Sequence, residues 1–166
     1  MCLENILTRR SIRKYTDKPI SEEDILDILK TAMAAPSARN LQPWEFIVID
    51  NREILDKIPD IQPYTKMILQ APLAFVVCGN AKVSENYWVQ DCSAATQNLL
   101  LAIHAKGLGA VWCGLYPNKE RVDGIKKLLN LPENIIPLNI IPTGYPAEEK
   151  EPSNRYDEKK VHKNTW

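Results

Sequence analysis

Arg9-Arg10-Ser11-Ile12-Arg13-Lys14-Tyr15 and, further on, Ala34-Ala35-Pro36-Ser37-Ala38-Arg39-Asn40-Leu41-Gln42-Pro43-Trp44 are the two most informative stretches of this chain. The first lies in a segment, Thr8 to Lys18, that sets Arg9, Arg10, Arg13, Lys14 and Lys18 against Asp17 alone. The whole protein, by contrast, balances 21 Lys and Arg against 21 Asp and Glu. A solvated basic face is one reading of such a run. A phosphate site is the other, because arginine forks pair with two phosphate oxygens at once and Ser11 adds a short neutral donor. The second stretch joins a helix end to a strand through small and polar residues, which is ordinary turn chemistry. Its functional reading is that Ser37, Asn40 and Gln42 present a hydroxyl and two amides at the mouth of a sheet. The small residues there would let a flat ring reach the backbone.

The flanking sequence supplies the elements. Leu3, Ile6 and Leu7 follow helical spacing ahead of the arginines. Ser21 reads as an N-cap, Glu22, Glu23 and Asp24 favour the first turn, and Ile25, Ile28, Leu29, Ala32 and Met33 form one helix face that stops by Pro36. Trp44 to Ile49 is apolar on both faces and predicts an interior strand. A helix is expected from Glu53 to Ile58, ending before Pro59. Leu73 to Cys78 predicts a second strand, and Ser84 to Lys106 a long helix ended by Gly107. Cys92 to Ile103 carries no charge, so that helix should be buried nearly all round, in the core or in a subunit interface. Gly109 to Cys113 predicts a third strand. Asn118 should cap a helix bearing Val122, Ile125, Leu128 and Leu129. Ile135 to Ile141 reads as a fourth strand, with Pro137 calling for an edge or a bulge. The last twenty or so residues are charged and aperiodic yet end in Val161 and Trp166, so this tail is expected to dock on something.

At 166 residues and 18.9 kDa the chain is one domain with enough core to need no staples. Its zero net charge argues against a nucleic-acid binder. Cys2, Cys78, Cys92 and Cys113 make no C-x-x-C, and His104 and His162 are the only histidines, so no metal site is expected. Free thiols fit a reducing compartment. Neither an apolar signal core after Met1 nor a membrane-spanning run is visible, so a cytoplasmic protein without a membrane partner is expected.

Taken together, R-R-S-I-R-K-Y, then A-P-S-A-R-N-L-Q-P-W-E-F-I-V-I, resemble the nitroreductase family of FMN-dependent oxidoreductases. The resemblance continues through the uncharged helix to Gly107-Leu108-Gly109 and Ala110-Val111-Trp112-Cys113-Gly114. It reaches Ile141-Pro142-Thr143-Gly144-Tyr145-Pro146 and the C-terminal segment, and so covers nearly the whole chain. It implies an α+β fold: a mixed, mostly antiparallel sheet flanked by helices, assembled as an intertwined homodimer with FMN at the subunit interface. Residues 1–166 would form one FMN-binding domain, with 145–166 as an arm onto the partner subunit.

By the same resemblance, Arg9, Arg10, Ser11 and Arg13 would hold the FMN phosphate, ribityl chain and ring edge. Pro36, Ser37, Ala38 and Asn40 would be lent by the partner, with Gln42 in the same motif. Gly114 and Leu115 would turn a backbone amide to flavin N5, and Arg155 would be a second basic phosphate ligand. The phosphate, at about −1.5 to −2 charges, suits several arginines.

The implied activity passes a hydride from NADH or NADPH through the flavin to a nitroaromatic, a quinone or another small conjugated acceptor, by a ping-pong cycle. Alternatives on the same fold are reductive dehalogenation, flavin-modifying chemistry and a non-catalytic flavin-binding or sensor module. The chain departs from larger members in three places. Gln62 to Met67 lacks the Asn and Lys they carry near the flavin pyrimidine, leaving Lys66 as a candidate. Ser153 stands where some members have a basic residue, and Gly79 to Ser84 is too short for their extra helices. Core packing is expected for Tyr87, Trp88, Trp112 and Tyr116, a packed or capping role for His104, and no redox role for Cys113.

Overall fold

The computed structural model describes residues 2–166. In chain order the regular elements are α1 (Cys2–Thr8), α2 (Glu22–Met33), β1 (Trp44–Ile49), α3 (Arg52–Leu55), α4 (Ile58–Ile61), β2 (Leu73–Asn80), α5 (Trp88–Ala105), β3 (Gly109–Ala110), β4 (Cys113–Gly114), α6 (Lys119–Leu128) and β5 (Ile135–Gly144). The strands form one antiparallel sheet in the order β1-β2-β5-β3, and β4 also pairs with β5. An isolated parallel bridge joins Ser11 to Ala110. This is the expected mixed, mostly antiparallel sheet flanked by helices.

Alternation along β2 builds a core on each face. Leu73, Phe75 and Val77 meet Ile28 of α2 and Leu99 and Ile103 of α5. Ala74, Val76 and Cys78 meet Leu55, Ile58 and Ile125 from α3, α4 and α6. Successive strand residues point to opposite faces, so a strand covered on both sides is apolar throughout. The same geometry corrects the reading of β1, which pairs only with β2 and is an edge of the sheet. Its two-faced apolar pattern arises because Phe46 packs on one core and Ile47 on the other.

Other boundaries also move. Gly109 to Cys113 is two short strands separated by Val111 and Trp112. The expected Glu53–Ile58 helix is two helices, and Pro59 sits in the first turn of the second, where no amide hydrogen is needed. The long helix begins at Trp88, with Ser84 to Tyr87 as a preceding turn. Pro137 marks a bulge: the register of β2 against β5 shifts between Val77 and Cys78, although β5 is central. Ser21 and Asn118 cap α2 and α6 as expected, and Gly107 takes φ +71° after α5. Cys78, Cys92 and Cys113 are free and buried, whereas the side chain of Cys2 lies outside the described residues. Among the described residues no helix is long and apolar enough to cross a membrane.

Candidate active site

After α1 the chain runs extended beside β3. Ile12 N donates to Ala110 O at 3.0 Å. Gly109 permits this approach, since a Cβ there would lie 2.8 Å from the Ile12 side chain. Tyr15 Oη donates to Ile12 O at 2.6 Å, and Ala147 N donates to Lys14 O at 2.9 Å, so the basic loop is laced to the start of the C-terminal segment. Arg10 Nε reaches Glu151 O and Arg10 Nη2 reaches Leu7 O, both at 2.8 Å. Burial first, then the charges of Arg10 and Arg155, lower the pKa of Arg9. The Arg9 guanidinium therefore feels the positive charge of both neighbours. Among the described residues no ion pair includes Arg9, Arg10, Arg13 or Arg155. A cluster of like charge without a counterion is a binding place for a multiply charged anion. His104 borders it. The Thr8 hydroxyl donates to Glu4 O, which leaves its oxygen to accept from His104 Nε2 at 2.9 Å. Burial and the neighbouring Arg9 and Arg10 lower the His104 pKa.

Further along the same sheet edge lies Gly114, about 13 Å from Ala110 at strand rise. Leu115 N donates to Leu138 O at 3.0 Å, while Gly114 O accepts from the Gln62 side-chain amide on the other side. In an antiparallel ladder successive residues turn their peptide groups alternately toward and away from the partner strand. Gly114 N–H thus points outward, and a Cβ there would meet nothing within 4 Å. Leu115 is a correction: its amide is spent on Leu138 and its side chain is core, so only Gly114 of the pair can offer an amide. A cavity of about 370 Å³ opens over this edge. Arg13, Gln62, Tyr64, Trp112, Gly114 and Arg121 line it, with Met67, Val111 and Cys113. Burial pushes the Cys113 thiol up to about 11, so it stays protonated at neutral pH.

The Pro36–Gln42 stretch lies elsewhere. Arg39, Asn40 and Gln42 all take positive φ, from 50° to 56°. Such left-handed conformations in residues other than glycine persist only where neighbours impose them, and they cluster at binding sites. The imposing contacts are Gln42 N to Ser37 Oγ at 3.0 Å, Gln42 Nε2 to Asn40 Oδ1 at 2.9 Å, and Ala38 N to the buried carboxylate of Asp91 at 2.9 Å. Asp91 lies in the first turn of α5 and His104 in its last, about 20 Å away at helical rise. The stretch also leads into β1, three strand spacings or about 14 Å from β4 across the sheet. The candidate residues thus fall into two groups. Arg9, Arg10, Ser11, Arg13, Gly114 and Arg155 belong to the β3–β4 edge and the chain laced to it. Pro36, Ser37, Ala38, Asn40 and Gln42 belong to the β1 edge.

Three residues of these two regions escape sequence reading. Gln62 is nearly fully buried and holds Gly114, Asp91 holds Ala38, and Arg121 reaches the cavity from α6. A buried glutamine or aspartate has no local sequence mark; only a site too polar for its core would have flagged them. Lys66 is exposed and does not line the cavity. Of the four aromatic residues, Trp88 alone is core; it meets the Tyr116 ring edge-on at 4.9 Å. Tyr87, Trp112 and Tyr116 are exposed. The expectation of core packing is corrected for these three.

A two-core α+β sheet with an arginine cluster and an outward glycine amide on one edge defines a class of flavin-type fold. The chain belongs to the nitroreductase family, which matches residues 6–64 and 61–145. A protein of Methanothermobacter thermautotrophicus, provisionally named NADH dehydrogenase/NAD(P)H nitroreductase, is 50% identical over 99% of this chain and 87% of its own length. The crystal structure of a Parabacteroides distasonis protein with the same provisional name superposes with a TM-score of 0.97 at 46% identity, over 99% of this chain and 98% of that one. A provisionally named nitroreductase of Desulfovibrio desulfuricans, crystallised in complex with FMN, gives a TM-score of 0.85 at 31% identity over 99% of this chain and 97% of that one.

Proposed function

We propose that this protein is an FMN-dependent NAD(P)H oxidoreductase acting on small conjugated acceptors. The observation that carries the reading is the unpaired cluster of Arg9, Arg10 and Arg155, on the same sheet edge as the outward amide of Gly114. The donor set fits FMN: arginines for the phosphate, Ser11 along the ribityl chain, Arg13 and Gly114 N–H at the ring. The chemistry that the group supplies when bound is relay of a hydride from NADH or NADPH to a nitroaromatic, a quinone or a similar electron sink. Gln62 fixes the Gly114 peptide, and Arg13 sets a positive charge beside the ring. No side chain is assigned as acid or base. Reductant and acceptor would use one open face in turn, which gives a ping-pong cycle.

A homodimer completes this reading. Pro36, Ser37, Ala38, Asn40 and Gln42 are too far from Gly114 within one chain to share its ring, so a second copy would bring them. In support, the single chain exposes 10286 Å², about a quarter more than a compact monomer of this mass. Leu3, Ile6 and Leu7 of α1 are exposed, and so are Val161 and Trp166 in the segment proposed as an arm. The test is anaerobic mixing of the FMN-loaded protein with NADH and with NADPH, followed by a quinone and a nitroaromatic. Bleaching and reoxidation are expected. A flavin that stays oxidised under excess of both nucleotides would mark a binding module instead.

A further inference from the structure

We propose that the cavity over Gly114 selects acceptors that carry an anionic group on the reacting ring, and that Arg121 is the residue that reads it. The inference rests on the flavin reading and narrows its substrate class to anionic aromatics such as ring carboxylates.

Arg121 and Arg13 are both in the cavity wall, and no Asp or Glu lines it. By the motif, Arg13 serves the flavin ring edge, which leaves Arg121 for the second substrate. Its guanidinium lies 5.5 Å from the centre of the Tyr64 ring, and among the described residues it has no ion pair. Along α6 the positions three and four residues from Arg121 are Pro117, Asn118, Gly124 and Ile125, so its own helix face offers it no carboxylate. The root of the side chain is fixed, because Asn118 Oδ1 caps α6 by accepting from Arg121 N at 3.0 Å and Ile125 anchors the helix in the core. Tyr64 is tied in turn to the reacting edge: its N donates to Gln62 Oε1 at 3.3 Å, and Gln62 holds Gly114 O.

An arginine parked over an aromatic ring keeps its fork unsatisfied, and a carboxylate can take both of its donors. The flavin ring against Arg13 and Gly114 would take part of the roughly 370 Å³, so the space left beside Tyr64 and Arg121 suits no more than a single substituted ring, and the anion must be borne on that ring. The 2′-phosphate of NADPH is at the far end of the dinucleotide from the nicotinamide and lies beyond the cavity.

The test is equilibrium binding of 4-nitrobenzoate and of neutral 4-nitrobenzamide to the oxidised, FMN-loaded protein, followed by flavin absorbance, in the wild type, Arg121→Gln and Arg121→Lys. The wild type should bind the benzoate about tenfold or more tightly than the amide, the scale of one charge-assisted bond. Arg121→Gln should erase that preference, Arg121→Lys should keep part of it, and both should hold FMN as the wild type does. Equal binding of the two probes by the wild type overturns the proposal. So does weaker FMN binding in Arg121→Gln, which would make Arg121 a flavin ligand. A wild-type protein that holds no FMN overturns this proposal and the flavin reading together, whereas equal binding of the two probes by FMN-loaded wild type, or a preference that survives in Arg121→Gln, overturns this one alone.

Discussion

The side-chain amide of Gln62 donates to the carbonyl oxygen of Gly114, tying a buried turn before β2 to the free edge of β4. That bond fixes the peptide whose neighbouring N–H faces outward. Gln62→Leu keeps the volume and removes the donor. Leaving a partly buried carbonyl without a partner costs about 1–3 kcal/mol. The urea midpoint of the apoprotein should fall with an unchanged slope, and an unchanged midpoint would mean that the bond contributes nothing.

Removing members of the arginine cluster should weaken the cofactor. Arg9→Ala, Arg10→Ala and Arg155→Ala should each lower FMN affinity by about 1.5–3 kcal/mol, the worth of a hydrogen bond to a charged group. Arg13→Ala should do the same from the ring end. Lys18, whose ammonium sits 3.9 Å over the Tyr145 ring, serves as the control, and Lys18→Ala should change little. Fluorescence titration of FMN reads all five; unchanged affinity in the cluster variants refutes the phosphate assignment.

Separation of the two residue groups within one chain makes a complementation experiment decisive. One chain carries Arg9→Ala with Arg155→Ala, and the other carries Ala38→Trp, which blocks the approach of a flat ring. Each homodimer should bind FMN poorly. The mixed dimer places both lesions in one site and leaves the other whole, so it should bind one FMN tightly. Sites built within single chains would leave both damaged and give no recovery.

His104 gives a pH dependence with a definite sign. Its folded pKa lies below the ordinary 6.5, because burial and the charges of Arg9 and Arg10 disfavour the imidazolium. The unfolded chain therefore binds more protons in mildly acid solution, and stability is lost as pH falls through 6.5 toward the folded pKa. Melting temperatures of the apoprotein between about pH 8 and pH 5 should decline, and His104→Gln should flatten that decline. A slope that survives the substitution places its origin elsewhere.

Kinetics distinguish a cofactor-borne reaction from a thiol mechanism. With reductant and acceptor sharing one face, double-reciprocal plots against both substrates should be parallel. Cys113 is protonated at neutral pH because its thiol is pushed up to about 11. Cys113→Ser should therefore keep turnover within about tenfold, or 1.4 kcal/mol of barrier. Intersecting lines would mean a ternary complex, and a much larger loss with FMN still bound would mean that the thiol takes part.

Local chemistry made much of this protein readable from the chain alone. The caps at Ser21 and Asn118, the turn glycine Gly107 and the two-faced apolar runs of β1 and β2 follow from hydrogen-bonding capacity and side-chain alternation over a few residues. The bunching of Arg9, Arg10 and Arg13 is likewise visible without a fold, because like charges in a short span announce themselves. Pairing and distance were decided only in three dimensions. Whether Trp44–Ile49 lies inside the sheet or at its edge depends on which strands find each other, and an apolar pattern reports covered faces, not lateral neighbours. The bond from Gln62 to Gly114, the hold of Asp91 on Ala38 and the charge of Arg155 felt at Arg9 join residues far apart in sequence, whose types carry no mark of the partner. The same is true of the gap between the Pro36–Gln42 stretch and Gly114. It is set by the length of α5 and the width of the sheet, two quantities that exist only once the chain has packed.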